Sequence, residues 1–151
     1  MTKTARIGFY RERDEHGYMS NFAKYPIVIE GREWPTTEHY FQAMKFEGTP
    51  HEELIRAAES ASTAAHMGRE RSRPLRKDWE QIKDDVMRVA LEAKFTQHAE
   101  LAAQLLATGD AELVEQTRGD YYWGCGTDGS GKNMLGILLV ELRSKLRAAS
   151  A

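Results

Sequence analysis

Cysteine is nearly missing from this sequence. Cys125 stands alone among 151 residues, so no disulfide can form within the chain, and a reducing cytoplasm is the expected compartment. Long apolar runs are missing too. The longest, Met134 to Leu142, covers about nine residues and includes Gly136 and Glu141, whereas a bilayer needs roughly 20, so no membrane association is expected. The stretch Met1 to Gly8 has no apolar core of the secretory kind. An excess of positive charge is absent as well: 21 basic residues face 23 acidic ones, for a formal net charge of -2. That balance argues against stable, non-specific nucleic-acid binding, which draws on a basic surplus. His16, His39, His51, His66 and His98 are scattered, with no His-Glu-x-x-His or paired-cysteine spacing, so neither a metal nor any other cofactor is expected.

What is present is globular composition, 41% hydrophobic and 29% charged, at the length of one domain. The expected class is mainly α (α+β), a compact single domain over residues 1–151 with a few short strands and about six helices. Ile7 to Tyr10 reads as a strand, and Ile27-Val28-Ile29 with Glu33-Trp34 reads as a hairpin turning at Glu30-Gly31. Helices are expected over Thr37–Glu47, capped by Thr36 or Thr37 and ended by Gly48, then over His51–Glu59 and Ser62–Met67. Gly68 to Lys77 reads as a basic loop. A long helix follows, with Asp78 as its cap, Gln81 as partner, and Ile82, Val86, Val89, Ala90 and Ala93 on its apolar face. Ala99–Ala107, a short Ala111–Gln116 and Leu135–Arg147 complete the helices, and Thr117–Asn133 is irregular.

Two clusters carry chemistry. In the first helix Glu38, Phe41, Gln42 and Lys45 follow the spacing i, i+3, i+4, i+7 and share one face. An aromatic in the middle of a polar stripe is badly placed in water, which points to a partly buried cleft rather than a solvated surface. The second is Gly119-Asp120-Tyr121-Tyr122-Trp123-Gly124, where adjacent aromatics can form a stacking wall or plug the loop onto the core. Trp79 poses the same choice. Gly126 to Lys132 spells G-x-x-x-x-G-K, but Asn133 occupies the position of the magnesium-binding hydroxyl, which excludes a nucleoside triphosphatase. A glycine loop offering backbone N–H groups to a phosphate is the weaker expectation that survives.

These residues resemble a known family. Ser20-Asn21-Phe22, Gly31-x-x-Trp34-Pro35-Thr36-x-Glu38-His39-Tyr40-Phe41-Gln42-Ala43-x-Lys45-Phe46, Met67-Gly68-Arg69, Pro74-Leu75-Arg76-x-x-Trp79 and Lys94-Phe95 come in the order of the NADAR (YbiA-like) family. Asp120-x-x-Trp123-Gly124 and Gly131-Lys132-Asn133-x-Leu135-Gly136 continue the likeness, which runs from about Phe9 to Arg143. The resemblance implies a small-molecule phosphoribosyl or ADP-ribosyl substrate. It is nearest to bacterial members that hydrolyse the N-glycosidic bond of phosphoribosylaminopyrimidines in early riboflavin biosynthesis. Other members remove ADP-ribose from guanine. A non-catalytic ADP-ribose-binding module and a plain interaction protein are the alternatives of other classes.

Cleaving an N-glycosidic bond calls for a carboxylate near the sugar, an acid near the leaving nitrogen and a hold on the ring. Glu38 and Asp120 are the candidate carboxylates, and Lys45 is a candidate Schiff-base amine. Trp79 and Trp123 are the candidates for stacking on the base, Asn21 and Gln42 for polar contacts, and Arg69 or Lys132 for the phosphate. Phe22, Gly124 and Asn133, from the same motifs, complete the expected substrate-binding set.

Overall fold

A computed structural model describes residues 5–150. Among them are six α-helices, four short strands and one 3-10 turn. The chain forms two compact units, one from residues 21–97 and the other from the described residues on either side of that stretch. Among the described residues, no helix is long and apolar enough to cross a membrane, and no group of three or more His, Cys, Asp or Glu could hold a metal ion.

The middle unit opens with the hairpin of strands β1 (Ile27–Ile29) and β2 (Arg32–Trp34). Glu30 and Gly31 both take positive φ, 53° and 78°, as a two-residue turn between right-twisted strands requires. The outer edge of β1 is closed by the Gln97 amide, which accepts from Val28 N and donates to Val28 O, both at 2.8 Å. Helix α1 (Thr37–Met44) follows, with the Thr36 hydroxyl accepting from His39 N. All eight of its residues are buried, and α2 (Pro50–Arg56), α3 (Ala61–Arg69), α4 (Trp79–Gln97) and β2 pack around it. It ends earlier than the sequence suggests, because residues 45–48 form turns before Gly48 reverses the chain at φ 83°. Conversely, α3 runs on through Gly68 and Arg69, which the sequence reading left in a loop. Two further expectations fail in α4. The Asp78 carboxylate holds Arg76 with both oxygens, 2.7 and 3.1 Å, rather than forming a capping box. Of the expected apolar face Ala90 and Ala93 are buried, but Val89 is 45% exposed and Ile82 and Val86 are only half-buried, and Met87, Leu91 and Phe95 complete the buried face.

The other unit holds a parallel pair of strands, β3 (Arg6–Phe9) and β4 (Glu112–Glu115), with helices α5 (Ala99–Ala107) and α6 (Met134–Ala149). The expected short helix at Ala111–Gln116 is therefore a strand. Its apolar run is too short for periodicity to distinguish the two, and pairing with a segment about a hundred residues away decides the matter. Leu113 and Val114 are each 1% exposed. Asn133, at φ 56°, accepts from Glu115 N (3.0 Å) and donates to Leu113 O (2.8 Å), so one side-chain amide pairs the edge of β4 that faces away from β3. Gly136 lets α6 lie against that strand, since a Cβ there would stand 1.9 Å from Leu113 O.

Asn133→Ala should destabilise the fold by about 2 kcal/mol, because a buried N–H and C=O lose their partner and alanine disfavours positive φ. Asn133→Gly should relieve the backbone but not restore the bonds. Urea unfolding of both variants checks this, and unchanged midpoints would remove Asn133 from the fold's supports.

Candidate functional site

Helix α1 is short, polar and wholly buried, so each of its polar side chains needs a partner. Thr37 Oγ1 donates to Asn21 Oδ1 at 2.8 Å, and Glu38 N donates to Asn21 O at 3.2 Å. Asn21 thus pins the first turn of the helix, and its Nδ2 rests 3.5 Å from the Met87 sulfur. His39 is 2.8 Å from Thr36 Oγ1 through Nδ1 and 3.0 Å from Ala58 O through Nε2. A carbonyl can only accept, so Nε2 carries the proton. Burial lowers the imidazole pKa, with the Ala58 carbonyl pulling the other way. His39 is a structural histidine.

One turn further on, Gln42 Nε2 donates to Glu38 Oε2 at 2.6 Å, while Gln42 Oε1 is buried without a hydrogen-bond partner among the described residues. Lys45 completes the stripe. It is 8% exposed, its Nζ donates to Gly68 O at 3.3 Å, and it lies 5.9 Å from the ring centroids of both Phe41 and Trp79. Those rings meet edge to face at 5.0 Å and form an apolar wall beside the amine. Burial pushes the Lys45 pKa down to about 8; Glu38 opposes that shift, and Arg71 and Arg69 reinforce it. The result is a carboxylate, an amide with a vacant acceptor and an amine of lowered basicity along one buried face.

Trp79 is 5% exposed, so it builds the wall around Lys45. Phe22 is half-buried in the same unit. The basic stretch sorts itself by partner. Arg73 binds His51 and Glu70, and Arg76 binds Asp78, Glu47 and the Met44 carbonyl. Arg69 and Arg71 are exposed and form no ion pair among the described residues. The sequence offers Arg71 together with Arg69, Arg73, Arg76 and Lys77 as a basic patch able to hold one phosphate. A second amine, Lys94, was quoted only as part of a motif. It is fully buried, 5.7 Å from the Tyr25 ring and 5.5 Å from the Phe95 ring, and burial lowers its pKa to about 7.

The loop residues belong to the other unit, where much of their hydrogen bonding serves the loop itself. Asp120 Oδ1 accepts from Tyr122 N (3.0 Å) and Trp123 N (2.8 Å). Trp123 is half-buried, edge to face with Tyr122 at 4.9 Å, and Lys132 is exposed with Nζ 5.6 Å from the Tyr122 ring. Gly124 is buried where a Cβ would meet Thr117 Oγ1 at 2.2 Å. The expected phosphate cradle is overturned. The amides of Gly131, Lys132, Asn133, Met134 and Leu135 donate to the carbonyls of Cys125, Tyr121, Gly124, Tyr122 and Trp123. The loop satisfies its own N–H groups, so none of these five is left for an anion. Asn133 likewise has its amide on β4.

Comparison with known proteins identifies the class. Residues 8–147 match the NADAR domain, and the chain belongs to that family. It is 58% identical over 140 residues to the N-glycosidase YbiA of Escherichia coli, covering 93% of this chain and 88% of that protein. It is 43% identical over 141 residues to a riboflavin biosynthesis protein of Vibrio vulnificus, covering 93% of this chain and 38% of that longer protein. The NMR structure of E. coli YbiA superposes with a TM-score of 0.91 at 54% identity, over 99% of this chain and 89% of that one.

Lys45 makes stability depend on pH. Its folded pKa of about 8 lies below the unfolded value of 10.5, so between them the unfolded chain binds more protons and stability rises with pH. Below pH 8 the cost of the buried ammonium is fully present. Wild type should gain on the order of 1–3 kcal/mol relative to Lys45→Met between pH 8 and 10.5. Lys94 titrates in both proteins and cancels. Parallel pH-dependent unfolding curves for the two would show that Lys45 is solvated.

Proposed function

We propose that this N-glycosidase, a hydrolase of N-glycosyl compounds, cleaves the bond joining ribose 5-phosphate to the aminopyrimidine of an early riboflavin-biosynthesis intermediate. The observation that carries the reading is Lys45, an amine of depressed pKa held against Phe41 and Trp79 on the helix face that bears Glu38 and Gln42. The name of the Vibrio relative supports the substrate class.

An aminoribose can open its ring, leaving an imine between C1′ and the base nitrogen. The neutral Lys45 amine adds to C1′, and its surplus proton passes to the departing nitrogen through the Glu38 carboxyl. The C1′–nitrogen bond breaks, the aminopyrimidine leaves, and a Schiff base joins C1′ to Lys45. Water then adds to C1′, the Lys45–C1′ bond breaks, and ribose 5-phosphate departs with the amine restored. One water is consumed overall, and no electron is transferred.

A pKa near 8 leaves roughly a tenth of the amine neutral at pH 7, against less than a thousandth for an ordinary lysine. Arg69 and Arg71 can meet the phosphate with charge-assisted hydrogen bonds. These roles are confined to the unit that contains Lys45.

Purified protein should release aminopyrimidine from the phosphoribosyl compound, with a rate exceeding that on ADP-ribosylated guanine, as read by mass spectrometry. The opposite preference would move the substrate assignment to ADP-ribose. Glu38→Gln should lower turnover at least about a hundredfold in a folded protein. Borohydride added during turnover should leave a ribose-phosphate adduct on Lys45, and Lys45→Arg should be inactive despite its charge. An active arginine variant with no adduct on the wild type would reduce Lys45 to an electrostatic role.

A further inference from the structure

We infer that Gly68 is a positioning residue for the reaction: its missing side chain makes room for the Gln42 amide that holds Glu38, and its carbonyl holds the Lys45 amine. The inference rests on the proposed roles of Glu38 and Lys45. Gly68 lies in the last turns of α3, is buried, and is not among the glycines at positive φ. The backbone therefore has no need of glycine there, and a helix interior favours alanine. Space supplies the reason. A Cβ on Gly68 would stand 2.0 Å from Gln42 Oε1, 2.7 Å from Gln42 Cδ and 2.8 Å from Gln42 Cβ. Rotating the end of the amide cannot relieve the last of these, because Gln42 Cβ is fixed to a helix buried on every residue. Either α1 and α3 move apart or the Gln42 amide leaves its place. Both outcomes disturb the 2.6 Å bond to Glu38 and the 3.3 Å bond from Lys45 to the Gly68 carbonyl. One glycine thus sets the spacing between the acid and the amine, although it brings no functional group beyond its backbone.

Kinetics of Gly68→Ala test this beside Gln42→Gly, which removes Gln42 Oε1, Cδ and Cβ together, and beside the double variant. Gly68→Ala should lower kcat at least about tenfold, a loss larger than its change in KM. It should also move the limb of the kcat/KM pH profile that the lowered pKa of Lys45 is expected to give the wild type, a shift that mere loosening of α3 would not produce. In the Gln42→Gly background the same substitution should cost less than about threefold, because the atoms it collides with are gone. If Gly68→Ala alone fails to fold, the double variant should recover the fold of Gln42→Gly. Wild-type kcat and pH profile in Gly68→Ala would overturn the inference, as would losses that multiply in the double variant or a double variant that stays unfolded. Glu38→Gln and Lys45→Arg are measured in parallel. If those two retain turnover, the catalytic reading itself fails; if they are inactive while Gly68→Ala is normal, only the role of Gly68 falls.

Discussion

The middle unit depends on burying a helix that is not apolar. Helix α1 carries Thr37, Glu38, His39 and Gln42 into the interior, and each exposed-type side chain taken out of water costs free energy unless it is partnered. The partners come from all round the helix: Thr36 and Ala58 for His39, Asn21 for Thr37, Gln42 for Glu38 and Gly68 for Lys45. A polar network inside a packed unit specifies its geometry closely, because a half-made network is worse than none. The exception, Gln42 Oε1, belongs to the amide that holds the acid and packs against Gly68.

The same burial sets the electrostatics. Desolvation disfavours an ammonium, so Lys45 loses basicity even though Glu38 is near enough to oppose the shift. Aromatic faces at 5.9 Å supply only weak compensation, and the exposed Arg69 and Arg71 push the amine further toward neutrality. Lys94, on α4, is more deeply buried than Lys45, and its amine lies against the rings of Tyr25 and Phe95. What distinguishes Lys45 is an amine, a carboxylate and an unfilled acceptor on successive turns of one helix.

The glycine loop of the other unit illustrates a different constraint. Its sequence imitates a phosphate-binding loop, but such loops work because their N–H groups point outward to the anion. Here successive amides fold back onto the carbonyls of residues 121–125, and Asp120 and Asn133 secure the two ends. These amides are satisfied within the loop itself.

Local pattern was enough for the hairpin, because Glu30-Gly31 between β-branched residues leaves few alternatives, and for α5, whose bounds match the expected Ala99–Ala107. The stripe of Glu38, Phe41, Gln42 and Lys45 was also legible, since helical spacing follows from 3.6 residues per turn and Phe41 argued against a solvated face. The family likeness was legible from ordered motifs, and residues 8–147 match the family. Packing decided the rest. Ala111–Gln116 became a strand because β3 lies beside it, and Asp78 kept its place before α4 while its carboxylate turned to Arg76 instead of forming a capping box. The phosphate cradle closed because its amides found carbonyls within the loop. The lowered basicity of Lys45 and the room that Gly68 leaves for Gln42 depend on which side chains meet across helices. A sequence records spacing along one chain, whereas desolvation and collision are properties of atoms brought together from distant parts of it.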